Sequence, residues 1–389
     1  GVRTIDATGA AERRFDVTAA LAQYPAWSPD GSRLAIISLD DDGAGVVVVD
    51  DATTAAADAE PAAAAIYRSV EMPPFYLFWS PDGRQVTFLT SELDGLALRS
   101  APADGSDDGG VVRRGAPMYW DWTADDRMLV HAGGDGPAGF IGELRMDGSF
   151  AAPSDIMPGP FQAPAVSDDG RRAYVVTDVG GQAIVTEDTD GGSRRVGVTG
   201  ATALDWSPSE AAGLAFVTPP GTPEVPIGPI GPLDILDTGS STPRRLLDET
   251  VLAFFWSPDG ASIAALALDT DAPQPVASRL PPGRPATGDP SGVRTVVRLV
   301  VLDAADGTIT LELPVQLSTP FINQVLPFYD QYARSHSLWS PDSKAVVLPL
   351  VDDDDVAHIA VVPTDGRPPS IVADGEIAFW APAPAPLAP

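Results

Sequence analysis

Side chains able to act as nucleophile, base or metal ligand are few and scattered in this chain. It has 389 residues, no cysteine, and three histidines, His131, His336 and His358. Without cysteine there are no disulfides, thiolate nucleophiles or thiolate-bound metals. The histidines show no His-x-x-x-His or equivalent spacing for zinc. A serine hydrolase would place its nucleophile in a Gly-x-Ser-x-Gly elbow, and no such pentapeptide occurs. Acids are too many and too dispersed to nominate a glycosidase pair. Hard oxygen ligands do cluster, at Asp40-Asp41-Asp42-Gly43, Asp188–Gly192 and Asp352–Asp355, each expected at a turn between the second and third strands of a unit. Calcium suits such turns, yet none has the twelve-residue loop with a closing Glu. The expectation is no cofactor, with calcium as the alternative.

One stretch has the composition of a recognition surface. Thr319 to His336 sets four aromatics among Asn, Gln, Asp, Arg and His. Aromatic residues with a few polar partners are what binding surfaces use. The candidate binding residues are Phe321, Phe328, Tyr329, Tyr332, Arg334 and His336, with His336 as the group able to titrate near neutral pH. The alternative is an irregular segment that packs its aromatics onto the protein.

Charge narrows the partners. Lys and Arg number 24 against 54 Asp and Glu, a formal net charge of −30. Such a surface repels phosphate backbones and anionic membranes, which excludes nucleic acid and leaves a protein partner. It also fits solubility or adaptation to high salt. No run approaches the ~18–20 apolar residues of a membrane span. Nor does a basic and then apolar leader open the sequence at Gly1.

The elements that must position these residues are given by a repeat. Trp27-Ser28-Pro29-Asp30-Gly31 returns intact at Trp79–Gly83 and Trp256–Gly260, and altered at Trp339–Ser343 and Trp206–Ser209. Weaker copies begin at Trp122 and Val166, and a shortened one surrounds Trp380. Successive origins lie 52, 43, 44, 40, 50, 83 and 41 residues apart. All but the 83 match the ~40–50 residues of a four-stranded propeller blade. An apolar strand precedes each Trp. Three more follow the turn, as in Gln85–Thr90 and Leu96–Ala101, and no amphipathic helix is evident. Pro fixes φ in the turn, Asp accepts backbone hydrogen bonds, and Gly supplies positive φ. Trp fills the seam between neighbouring twisted sheets and needs a polar partner for its indole N–H.

The predicted fold is all-β: a propeller of eight four-stranded blades over 1–380, with seven as the alternative. Val2–Ala7 and Arg14–Val17 at one end, and Glu376–Trp380 at the other, would pair to close the ring and leave no open edge. The second strand of that composite blade has no counterpart in the sequence. Insertions fall at 269–295 and 319–336, a proline-rich connector at Pro219–Pro232, and a Pro/Ala-rich tail at 381–389.

The Trp-Ser-Pro-Asp-Gly series resembles the TolB-type, WD-like propeller repeat across essentially the whole chain. The resemblance implies a bacterial, extracytoplasmic propeller. Nothing here corresponds to TolB's N-terminal α/β domain, nor to the α/β-hydrolase domain that accompanies a similar propeller in prolyl-oligopeptidase-like peptidases. The expected function is therefore a non-catalytic protein-binding or scaffolding module. The alternatives are a propeller hydrolase or lyase with calcium in its channel, and an accessory subunit of a surface or membrane assembly.

Overall fold

The computed structural model describes residues 1–15, 21–53, 62–134, 139–152, 156–209, 213–221, 228–268, 297–352 and 354–383. The insertion expected at 269–295, the middle of the Pro219–Pro232 connector, Asp353 and the end of the 381–389 tail lie outside them.

Each Trp-Ser-Pro-Asp-Gly turn folds through the same local bonds. In the first, the Ser28 hydroxyl donates to Asp30 Oδ1 at 2.6 Å and accepts the Arg33 backbone N–H at 2.9 Å. The Gly31 N–H donates to the Ser28 carbonyl at 2.9 Å. Burial would raise the Asp30 carboxyl, but the hydrogen bonds from Ser28 and Ser32 outweigh it and hold the group below its usual range. Ser80 with Asp82, Ser257 with Asp259, and Ser340 with Asp342 repeat the serine–aspartate bond. Gly31, Gly83 and Gly260 sit at φ +69°, +67° and +67°, where a Cβ is strained.

The turns organise an all-β chain of antiparallel sheets, propeller-like in its repetition. The first sheet runs Leu21–Trp27, Leu34–Asp40, Gly43–Val49, Ala63–Ser69, each strand paired with the next. The second repeats it with Pro74–Trp79, Gln85–Glu92, Gly95–Pro102 and Gly110–Gly115. A three-stranded sheet (Met118–Ala124, Arg127–Ala132, Phe140–Arg145) and a four-stranded one (Ala165–Val166 to Ser193–Gly197) follow. The next two units merge into one seven-stranded sheet, because the single strand Arg244–Trp256 ends one unit and opens the other. A last sheet holds Ala345–Val351, Ala357–Pro363 and Ser370–Asp374, with Trp339 bridged to Val346. Second strands such as Leu34–Asp40 and Ser262–Leu268 are apolar almost throughout and buried on both faces.

The sequence and the structure differ in three places. Asp188–Gly192 turns between the third and fourth strands of its sheet (Gly181–Glu187 and Ser193–Gly197), not the second and third. At the chain ends, Val2–Ile5 pairs with Glu12–Phe15 as a two-stranded sheet, and no ladder joins it to Glu376–Trp380 among the described residues. Finally, the 319–336 insertion is helical. Thr319 and Pro320 lead into a π-helical turn Phe321–Val325, a 3-10 turn Leu326–Phe328 and an α-helix Tyr329–Ser335.

Candidate binding site

The helical insertion is where the first strands of the sheets converge. Tyr76 and Tyr119, from the second and third sheets, each place their hydroxyl 3.0 Å from the Gln331 carbonyl. Phe254 packs edge-on to Tyr329, and Phe379 stacks on Tyr332 at 6.2 Å. Arg334 reaches the fourth and fifth units. Its guanidinium donates to the Pro164 carbonyl, to the Leu204 carbonyl at 2.7 Å and to Asp205 Oδ1 at 3.3 Å, with Asp121 Oδ2 at 3.7 Å. A seven-residue helix held by so many sheets acts as a plug.

A bulge aims one of these groups. The ladder between Pro74–Trp79 and Gln85–Glu92 slips at Phe75/Leu77, leaving Tyr76 at φ +55°. The first sheet slips likewise between Gln23 and Ala26, with Tyr24 at φ +51°. An extra residue in an edge position turns its side chain out of the alternation. Tyr76 thereby meets Tyr119 at 2.7 Å and Ser335 at 2.9 Å, hydroxyl to hydroxyl.

Charge in this plug is unbalanced. Burial raises the Asp121 and Asp330 carboxyls and pushes Asp205 up to about 7, with the Arg334 cation opposing in each case. The Arg334 side chain is only 5% exposed and stays cationic. Burial also pushes His336 down to about 3. Its Nδ1 lies 2.6 Å from Ser335 Oγ, inside the protein.

Five of the six candidate residues are thus engaged inside the protein. Phe321, Tyr329, Tyr332 and His336 are buried, and the Arg334 side chain is nearly so. Only Phe328, 49% exposed, stands on the surface. Their partners Tyr76, Tyr119, Asp121 and Asp205 escaped sequence reasoning, since each lies on the first strand of a unit and no local spacing links them. The remaining histidines are held elsewhere: His131 Nδ1 lies 2.9 Å from the buried Gln162 carbonyl, and His358 bridges Asp352 and Asp374 at the surface. Among the described residues, no group of three His, Asp or Glu side chains is placed to hold a metal ion.

The open space lies beside the plug. A cavity of about 820 Å³ runs from Tyr332 and Phe379 out to Val2–Asp6, between the first sheet and the last. Trp27 and Leu34 form one wall, and Val361 and Val372 the opposite one. Volume and lining fall within the range of ligand sites. Trp27 itself is only partly buried, whereas Trp79 and Trp339 are sealed.

Comparison with solved structures agrees with the fold. No protein-family model and no curated protein sequence matches the chain. A prolyl endopeptidase shares 10% identity over 91% of this chain and 49% of its own, with a TM-score of 0.57. A eukaryotic initiation factor shares 13% over 96% of this chain and 93% of its own, at 0.52. TolB from Acinetobacter baumannii shares 15% over 93% of this chain and 66% of its own, at 0.42. The chain therefore spans about half of that peptidase and just under two thirds of that TolB. At such identities the likeness is one of fold.

Proposed function

We propose that the chain is a non-catalytic, protein-binding propeller of eight units whose binding site is the seam where its two ends meet. The observation that carries this reading is the contrast between a filled centre and an open seam. In this reading the helix Tyr329–Ser335, tied by Arg334 to the Leu204 carbonyl, fills the axis where a propeller would hold a small substrate. The seam offers a cavity of about 820 Å³ whose walls include Trp27, Leu34, Val361 and Val372. Phe328, exposed on the plug, is a second contact to be tested. The Trp-Ser-Pro-Asp-Gly series supports a place outside the cytoplasm. No helix among the described residues is long and apolar enough to cross a membrane.

The test is capture from an extract of the source organism by immobilised full chain, comparing wild type with Val361→Trp and Phe328→Ala. A tryptophan at 361 would fill the cavity. The seam reading expects at least one protein retained by wild type and reduced tenfold or more by Val361→Trp. Loss in Phe328→Ala alone would move the site to the plug, and identical captures by all three would overturn the reading.

A further inference from the structure

The large apolar side chains left in water are gathered at one end of the sheets. Where antiparallel strands follow in order, the turn from second to third strand shares an end with the passage from the fourth strand to the next unit. The plug, which follows Ile309–Val315 and precedes Trp339, marks that end. Of ten large apolar side chains exposed among the described residues, seven stand there. Leu39, Leu93, Val179 and Val356 lie at or beside turns from second to third strand. Val70 and Met157 lie in passages to the next unit, and Phe328 lies on the plug. Apolar residues scattered singly need no account, but a one-sided set does.

In the first two sheets these residues join into a strip. Val70 touches the turn Asp40–Gly43, since a Cβ on Gly43 would lie 3.1 Å from its Cγ2. Three residues on, the Pro73 carbonyl accepts the Ser91 N–H at 3.4 Å, at the foot of the turn whose tip is the fully exposed Leu93. Asp94-Gly95 supply that turn's chemistry, with Gly95 at φ +140°, so Leu93 serves neither turn nor core. The strip's arginines are already taken. Arg68 pairs with Asp40 at 2.8 Å, and Arg99 and Arg114 pair with Glu92 at 3.4 and 2.7 Å. Asp41, Asp42, Glu71 and Asp94 are exposed and have no cationic partner among the described residues. At the opposite end of the second sheet, Asp82 accepts the Ser80 hydroxyl and Asp104 the Ser106 N–H. Among the described residues of these two sheets, no large apolar side chain is exposed there.

We infer that the strip formed by Leu39, Val70 and Leu93 docks a basic polypeptide segment that carries apolar side chains. Contact with Val70 and Leu93 removes apolar surface from water on both partners. The four carboxylates without cations select lysine and arginine beside it, and speed encounter with a positively charged partner. A phosphate-rich partner is repelled by the same groups and by the net charge of −30. The strip is separate from the seam, because none of its residues lines the cavity. It shares with the proposed function only that the chain binds protein.

The test titrates the full chain with a labelled peptide of repeated Lys-Leu, with repeated Lys-Ser and Glu-Leu as comparisons. Lys-Leu should bind saturably and at least tenfold more tightly than either. Two variants of the strip should each weaken it at least tenfold: Val70→Ser with Leu93→Ser, and Asp41→Asn with Asp42→Asn and Asp94→Asn. A control at the opposite end of the second sheet, Asp104→Asn with Asp107→Asn and Asp108→Asn, makes the same change of charge and should weaken it less than twofold. All these side chains are exposed, so the Tm should stay in place. An equal loss in the control would reduce the effect to net charge and overturn the inference. Lys-Ser binding as tight as that of Lys-Leu would also overturn it. So would vesicles of zwitterionic lipid that bind wild type and not the Val70→Ser, Leu93→Ser variant, since the strip would then belong to a membrane. Val361→Trp should bind the peptide as wild type does. A loss there would return the peptide to the seam, overturning the strip and leaving the seam reading intact. Extract capture that ignores Val361→Trp, with the peptide results as expected, would sink the seam reading and leave the strip standing.

Discussion

Two seams of this molecule carry the same motif and close differently. Between the first and second sheets, Trp79 is 3% exposed, donates its indole N–H to the Ala26 carbonyl at 2.9 Å, and lies under the Arg33 guanidinium at 4.9 Å. Trp339 and Trp256 make the corresponding bonds, to the carbonyls of Phe255 and Asp205. In each case the acceptor is the residue just before the preceding unit's Trp. At the seam between the last sheet and the first, Trp27 makes no such bond among the described residues and borders a cavity. Its own turn is as well formed as the others. The motif therefore builds the turn by itself, and the indole bond is separate from it: the Trp122 and Trp206 indole N–H groups are buried without an acceptor among the described residues, although each follows a four-stranded sheet.

Substitutions at the two tryptophans should separate the seams most strongly. Trp79→Ala removes a sealed aromatic and should cost about 3–5 kcal/mol in denaturant unfolding, while Trp27→Ala should cost less than half as much. Equal losses would mean that the terminal seam is sealed in solution. Next in size is the plug. Arg334→Ala leaves Asp121 and Asp205 buried without their cation and should cost about 3 kcal/mol or more. Arg334→Lys should recover only part, since it keeps the charge but not the fork that reaches two carbonyls and a carboxylate. An Arg334→Ala variant as stable as wild type would show that Arg334 does not hold the helix to the surrounding strands.

A smaller effect should appear with pH. The Asp205 carboxyl moves from 3.8 to about 7 on folding, so the folded state binds this proton more tightly. Its contribution to stability is full below the unfolded value and is lost as pH rises through about 7. His131 and His336 are shifted down by burial and act in the opposite sense. Asp205 is therefore isolated by subtracting the Asp205→Asn profile, and the difference should fall between about pH 4 and pH 7 and level off above. A flat difference would place Asp205 in contact with water. Smallest of all, Gly83→Ala should cost roughly 1–2 kcal/mol for its left-handed backbone, measured as a shift in the denaturant midpoint without change of slope.

Much of the fold was legible, and the reasons are local. Trp-Ser-Pro-Asp-Gly specifies its own hydrogen bonds, and second strands such as Gln85–Glu92 and Ser262–Leu268 follow it at fixed distance. The plug was not. Its π, 3-10 and α turns give no single apolar period, because Tyr329, Tyr332 and Arg334 point at different sheets around the helix. Mixed aromatic and polar composition reads equally as a surface that binds or as a helix that is bound. The buried charges were hidden for a related reason: Asp121 and Asp205 are ordinary acids in sequence and become partners of Arg334 only through the convergence of distant strands.

Hydrogen exchange of the free protein, followed by mass spectrometry, tests the central contrast most directly. The expected result is fast exchange in the peptides covering Val2–Ile5 and Glu376–Trp380, and strong protection in Tyr329–Ser335 and Pro74–Trp79. Protection at both chain ends together with rapid exchange in the helix would mean a sealed seam and an open axis, and would contradict the account.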